Sequence, residues 1–188
     1  MTVGVLALQG DFQEHLDVLK KIGVEAVAVR LPQDLDKIDR LIVPGGESTT
    51  IGKLLVIYKL LEPIRQRIKK GMPVWGTCAG AILLAKHIAD GRKNQSTLGV
   101  MDITARRNAF GRQLDSFEAK VFIKEISEKA IPVVFIRAPL LEHPGKKVRV
   151  LARRQGNIIA AREGNMLATC FHPELTATPA VHRYFLAM

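Results

Sequence analysis

The first thirty residues confine the chain to a narrow set of folds. Val3-Gly4-Val5-Leu6-Ala7-Leu8 is an unbroken apolar run of strand length, the pattern of a strand buried on both faces, as in a parallel sheet. Phe12, His15, Leu16, Leu19 and Ile22 then recur at helical spacing, so one face of this segment packs inward. Asp11 with Glu14 three residues on reads as an N-cap and capping box, and Gly23 stands where a C-terminal cap belongs. Val24–Val29 supplies a second strand. A strand, a helix and a strand within about thirty residues is a β-α-β unit, which commits the sheet to parallel pairing.

The alternation continues. Arg40–Val43 reads as a short strand running into Pro44-Gly45-Gly46; Thr49–Leu61 and Pro63–Lys70 read as helices, the second closed by Gly71. Pro73–Gly76 reads as another short strand and Ala79–Ala89 as an apolar-faced helix. Beyond Gly99 the pieces are mostly short and strand-like: Val100–Arg106, Ser116–Ile123, Val133–Ile136, Val148–Ala152, Asn157–Arg162 and Leu167–Phe171. Glu163-Gly164-Asn165 suits a hairpin turn, and Pro179–Leu186 a last helix. The predicted class is α/β, a mostly parallel sheet with antiparallel additions late in the chain, flanked by helices. With 188 residues, and roughly 100–200 per domain, no repeat and no linker-like stretch, a single domain over 1–188 is expected.

Composition narrows the function classes. Hydrophobic residues make up 47% of the chain and charged residues 24%, too apolar for disorder. No apolar stretch approaches the ~20 residues that span a bilayer, and no basic stretch precedes an apolar core at the N-terminus, so neither membrane insertion nor export is expected. Two cysteines without a CxxC form no disulfide framework, and a reducing, cytoplasmic setting is the default expectation. The formal net charge is +10. Its basic residues come in scattered pairs such as Lys20–Lys21, Lys69–Lys70 and Arg153–Arg154, with few aromatics, so an acidic protein partner or plain solvation is favoured over nucleic acid.

Three short segments carry chemistry. Gly76-Thr77-Cys78-Ala79-Gly80 lies between a predicted strand and a predicted helix, the Gly-x-Ser-x-Gly nucleophile elbow with Cys in place of Ser. Such a turn strains the backbone of Cys78 and sets its sulfur at a helix N-terminus, where thiolate is favoured over thiol and the Ala79 N–H points at whatever the sulfur attacks. The plainer reading is a buried structural cysteine between glycines. In Phe171-His172-Pro173-Glu174, proline favours an extended backbone, so His172 and Glu174 face one side as a base and its orienting carboxylate; alone, such a segment is an ordinary surface turn. Pro44-Gly45-Gly46-Glu47-Ser48-Thr49 offers close-approaching backbone N–H groups, with Gly46 as an oxyanion donor and Glu47 suited to an ammonium group. Gln9 and Gly10, ending the first strand, are expected at the same carboxyl edge of the sheet. A metal site through Cys78, Cys170 and His172 lacks a compact four-ligand set, and His15, His87, His143 and His182 show no comparable partners. Thiolate, His–Glu pair, oxyanion loop and acid together spell acyl transfer or hydrolysis on an amino-acid amide.

With these motifs the chain resembles the class I, triad-type glutamine amidotransferases, whose fold is a flavodoxin-like three-layer sandwich. Within that superfamily the opening GVLALQGDFQEH, PGGESTT, the stretch Arg106–Glu118, Phe135–Pro139 and FHPEL are similar to the glutaminase subunits of pyridoxal 5'-phosphate synthases, almost end to end. The resemblance implies hydrolysis of L-glutamine to L-glutamate and ammonia, with ammonia channelled to a TIM-barrel synthase subunit in a hetero-oligomer. It makes Cys78 the nucleophile and completes the triad with His172 and Glu174. It gives Gly46, Glu47, Ser48, Arg107, Ile136 and Arg137 to glutamine binding, and calls for no metal and no organic cofactor. The alternatives are a glutaminase of another amidotransferase, such as the histidine-biosynthesis type, and a non-catalytic basic binding protein on the same fold.

Overall fold

An apolar run without alternation has to sit inside a sheet, and the first strand does. In the computed structural model, which describes residues 1–90, 95–107 and 116–188, β1 (Thr2–Leu6) lies between β2 (Glu25–Val29) and β3 (Arg40–Val43), parallel to both. β3 pairs in parallel with β4 (Val74–Thr77), and β4 with β12 (Met166–Thr169). The order β2-β1-β3-β4-β12 is that of a doubly wound sheet, in which ligands gather at the carboxyl ends of the strands. Beyond β12 the sheet turns antiparallel through β11 (Asn157–Glu163), β9 (Leu140–Glu142) and β6 (Met101–Arg106), with β10 (Arg149–Arg154) on β11 and β5 (Ala85–Ile88) parallel to β6. β7 (Ser116–Val121) and β8 (Ile131–Ile136) form a separate antiparallel ribbon. The Glu163–Asn165 turn joins β11 to β12 as expected, with Gly164 at φ 55°.

Side-chain alternation along β4 distributes the helices. Trp75 and Thr77 point towards His15 of α1 (Phe12–Lys21) and His182 of α5 (Ala180–Leu186). Gly76, between them, faces the other way and meets α4 (Ala79–Leu84): a Cβ on Gly76 would lie 2.4 Å from the Gly80 carbonyl carbon. α2 (Ser48–Ile57) packs on α4 and on α3 (Leu61–Lys69). The expected α/β class with a mostly parallel core sheet is what forms.

Local expectations fail where tertiary contacts override them. The helix predicted over Ala79–Ala89 ends at Leu84, because the carbonyls of Leu83 and Leu84 accept from the N–H groups of Leu98, Gly99 and Val100. The chain leaves as strand β5, which puts His87 on a strand and not in a helix. α2 stops at Ile57, short of Leu61, where Lys59 turns left-handed at φ 55° and the Leu60 N–H closes on the Leu55 carbonyl. Asp11 precedes α1 but makes no side-chain cap, so the expected capping box is absent. β9 and the 3-10 turns Pro32–Lys37 and Pro173–Leu175 have no counterpart in the sequence reading. Among the described residues no helix is long and apolar enough to cross a membrane.

Candidate active site

Cys78 sits in the turn from β4 into α4 at φ 48°, ψ −104°, a left-handed conformation that a side-chain-bearing residue holds only when its surroundings impose it. The surroundings are specific. The Cys78 N–H donates to the Thr169 carbonyl at 2.8 Å, tying the elbow to β12. Gly80 lets α4 begin against the end of β3: a Cβ there would lie 2.0 Å from the Val43 carbonyl oxygen. The Cys78 sulfur, on a 7% exposed residue, lies 3.7 Å from the Ile136 carbonyl oxygen.

His172 and Glu174 meet as expected, by a different local route. The segment is not extended throughout; His172 leads into the 3-10 turn Pro173–Leu175, which swings Glu174 back so that its Oε1 lies 2.7 Å from His172 Nδ1. The His172 N–H donates to the Val134 carbonyl at 2.7 Å, which docks the ribbon β7–β8 against the histidine and brings Ile136–Arg137 over the cysteine. Arg137 is held at φ 41°, a second strained residue at the site. Burial opposes charge on the imidazole, but hydrogen bonds to the Cys78 sulfur and the Glu174 carboxylate, with their charges, push its pKa up to about 10. Burial in turn raises the carboxyl of Glu174 against the pull of His172.

The glycine loop closes the floor. A Cβ on Gly45 would lie 2.4 Å from His172 Cε1, so only glycine lets this backbone pass under the ring. The Glu47 N–H donates to Gln9 Oε1 at 2.7 Å, linking the loop to the end of β1. Glu47 itself is the side-chain cap of α2, accepting from the backbone N–H groups and hydroxyls of Thr49 and Thr50. Partial burial raises its pKa, but these hydrogen bonds outweigh it and hold the carboxyl down to about 2. Ser48 Oγ accepts from Gln95 Nε2 at 3.1 Å.

A cleft of about 360 Å³ joins these parts, within the range of small-molecule sites. Cys78, Ala79, His172, Gly46, Glu47, Ser48, Arg107, Ile136 and Arg137 all line it, and Glu174 stands behind His172. Sequence reasoning assigned no site role to Asp11 and Ile82, which also line it, and placed Gln9 only at the sheet edge. Asp11 is turned from its expected cap into the site, with Oδ2 3.4 Å from His172 Nδ1; its place after the first strand was the available signal. Asp11, His172 and Glu174 form a cluster able to hold a metal ion, although His172 Nδ1 is already engaged by Glu174. Cys170 is fully buried, its thiol raised well above the usual range by burial, and it joins no such cluster among the described residues. His15, for which the sequence shows no partners comparable to those of His172, lies 3.5 Å from Glu174 Oε2. Most of the arginine-rich stretch Arg106–Glu118, residues 108–115, lies outside the described residues.

The SNO glutamine amidotransferase family matches residues 5–188. The chain is 59% identical over 189 residues to the pyridoxal 5'-phosphate synthase subunit PdxT of Roseiflexus castenholzii, and 58% over 190 residues to that of Herpetosiphon aurantiacus, covering all of both chains in each case. A crystal structure of a glutamine amidotransferase superposes with a TM-score of 0.93 at 49% identity, over 98% of this chain and 97% of the other. A chain of PurLQS from Thermotoga maritima shares the fold with a TM-score of 0.69 at 16% identity, over 99% of this chain and 97% of the other.

Proposed function

The chain belongs to the SNO glutamine amidotransferase family, and from that premise we propose that residues 1–188 act as one glutaminase domain that hydrolyses L-glutamine to L-glutamate and ammonia for a pyridoxal 5'-phosphate synthase. The observation that carries the reading is a strained cysteine in one cleft with a histidine whose Nδ1 is held by a buried carboxylate at 2.7 Å. The full-length likeness to subunits named PdxT favours this synthase over other amidotransferases.

The mechanism follows from the charges. His172, cationic beside Cys78, holds the sulfur as thiolate. The sulfur attacks the carboxamide carbon, and the N–H groups of Gly46 and Ala79 stabilise the oxyanion that forms. His172 gives its Nε2 proton to the leaving nitrogen; the C–N bond breaks, ammonia departs and a glutamyl thioester remains. The now neutral imidazole takes a proton from water, whose oxygen attacks the thioester; the C–S bond breaks and thiolate and imidazolium are restored. Glu174 on Nδ1 keeps Nε2 facing the reaction. Arg107 and Arg137 suit the substrate α-carboxylate, and Glu47, ionised as the α2 cap, suits its ammonium end.

Ammonia released without an acceptor is wasted, so the partner is a synthase subunit, a TIM-barrel protein by the family resemblance, and docking sets the activity. The contact of Glu47 N–H with Gln9 ties the oxyanion loop to the half-buried segment at the carboxyl end of β1, where a partner can fix the Gly46 peptide. A donor gained at the oxyanion is worth about 2.7–4 kcal/mol, or on the order of a hundred- to a thousandfold in rate. The test measures ammonia release from glutamine by the full chain, first without and then with saturating synthase. Activity that rises on docking, vanishes in Cys78→Ala and survives in Cys170→Ala is expected. Equal rates alone and docked rule out the switch, and no glutamine-dependent ammonia under either condition rules out the glutaminase.

A further inference from the structure

Behind the triad lies a buried histidine pair that the mechanism above does not use. His15 on α1 and His182 on α5 are both fully buried. His15 Nδ1 lies 3.0 Å from His182 Nε2, while His15 Nε2 lies 3.3 Å from Thr77 Oγ1 and 3.5 Å from Glu174 Oε2. Trp75 packs edge-on against both rings, at 5.4 and 4.9 Å between centroids. Glu174 gives its Oε1 to His172, but its buried Oε2 has no hydrogen-bond partner among the described residues.

One proton arrangement serves these atoms best. Two neutral imidazoles 3.0 Å apart must be one donor and one acceptor. If His15 carried its hydrogen on Nδ1, its bare Nε2 would face the carboxylate lone pair to lone pair, and Oε2 would be left in the core without a donor. If His182 donates from Nε2 to His15 Nδ1, His15 carries its hydrogen on Nε2 and aims it between Thr77 Oγ1 and Glu174 Oε2. Burial keeps both rings neutral, lowering His15 well below its ordinary range, with the neighbouring His182 and His172 adding to the effect, and lowering His182 to about 4.

We propose that His15 is a positioning residue of the triad, steadying Glu174 through its Nε2–H, and that His182 fixes the tautomer in which His15 does so. The inference rests on the triad reading above. His15 touches no substrate; it acts on the reaction through Glu174 and the orientation of His172, and through Thr77, the residue preceding Cys78. Its loss therefore falls on kcat and leaves KM nearly unchanged.

The test uses the full chain with its synthase partner. His15→Phe keeps an aromatic ring and removes both nitrogens; kcat for glutamine hydrolysis is expected to fall about 10–100-fold, as when a partner that orients a reacting group is lost, with KM within about twofold. His15→Gln, whose amide N–H₂ stands near the position of the imidazole Nε2, is expected to recover most of the loss. Unchanged kcat in His15→Phe overturns the proposal, as does an equal loss in both variants. Nitrogen-15 histidine spectra of the unaltered chain decide it without any substitution: His15 and His182 are expected as neutral Nε2–H tautomers at neutral pH, and an Nδ1–H tautomer of His15 overturns it. An unaltered chain that releases no ammonia counts against the glutaminase reading, while the tautomer measurement still decides this one.

Discussion

At the scale of the residue, the fold engages the charged side chains around the cleft before any ligand arrives. Glu47 was legible as an acid beside a glycine loop, but its carboxylate is engaged by Thr49 and Thr50, an Asp-like capping role invisible without the geometry. Arg107 is engaged as well. Its backbone N–H donates to Asp90 Oδ1 at 3.0 Å and its Nη2 to the Asp90 carbonyl at 3.4 Å, while its Nε lies 3.9 Å from Asp90 Oδ1, so one acid fixes both the start and the inner edge of the side chain. A guanidinium steadied by Asp90 on the cleft wall suits a carboxylate, and a charge-assisted bond there is worth about 1.5–3 kcal/mol. Arg107→Ala is expected to lower kcat/KM for glutamine roughly ten- to hundredfold while leaving alkylation of Cys78 by a small neutral reagent intact. An unchanged kcat/KM would make Arg107 a plain surface charge.

At the scale of the element, the site depends on one tight crossing, where α4 starts against the end of β3. The elbow was legible because its requirement is local: small residues on both sides of a strained nucleophile leave a Gly-x-Cys-x-Gly signature in any sequence that builds one. The early end of α4 was not legible, because nothing in Ala85–Ala89 breaks a helix; the stop comes from N–H groups of Leu98–Val100, remote in sequence, that occupy its last carbonyls. The same holds for Asp11, whose local pattern promised a cap and whose side chain went to a histidine supplied by the far end of the chain. Gly80 shows how little slack the crossing has. A Cβ there meets the backbone oxygen of Val43 at 2.0 Å, and backbone in a central strand cannot step aside as a side-chain tip can. Gly80→Ala is expected to cost about 3 kcal/mol of stability and to lose activity even where the fold survives, since α4 must move and carry Cys78 with it. Gly23→Ala, where a Cβ would meet nothing within 4 Å but φ is 74°, separates backbone strain from collision: it is expected to cost about 1–2 kcal/mol and leave activity intact. Denaturant titration with activity measurements checks both, and loss of activity in Gly23→Ala equal to that in Gly80→Ala would refute the crossing as the cause.

At the scale of the whole molecule, the buried histidines place opposite limits on stability. His172, pushed up to about 10 in the fold, is stabilising as a cation. That contribution is complete below the unfolded value near 6.5 and is lost as the pH rises through 10. His182, pushed down to about 4, and His15, also lowered well below its ordinary range by burial, are neutral in the fold. As the pH falls below 6.5 the unfolded chain binds protons that the folded chain refuses, so stability drains away between about pH 6.5 and 4. For His182 alone the shift from 6.5 to about 4 amounts to about 3 kcal/mol at the bottom of that window, a large share of the ~5–15 kcal/mol that holds a domain together. The raised carboxyl of Glu174 works in the other direction above pH 4.5, so the absolute slope mixes several groups and a comparison of variants isolates one. Glu47 stays out of the way, because its depressed carboxyl matters only as the pH falls from about 4.5 through 2. The melting temperature is expected to peak near pH 7 and to drop on acidification to pH 5. His182→Phe, which keeps a ring beside Trp75 and cannot take up a proton, is expected to melt lower at pH 7 yet to lose less on going to pH 5. If its loss between those two pH values equals that of the unaltered chain, His182 is not what makes the fold sensitive to acid.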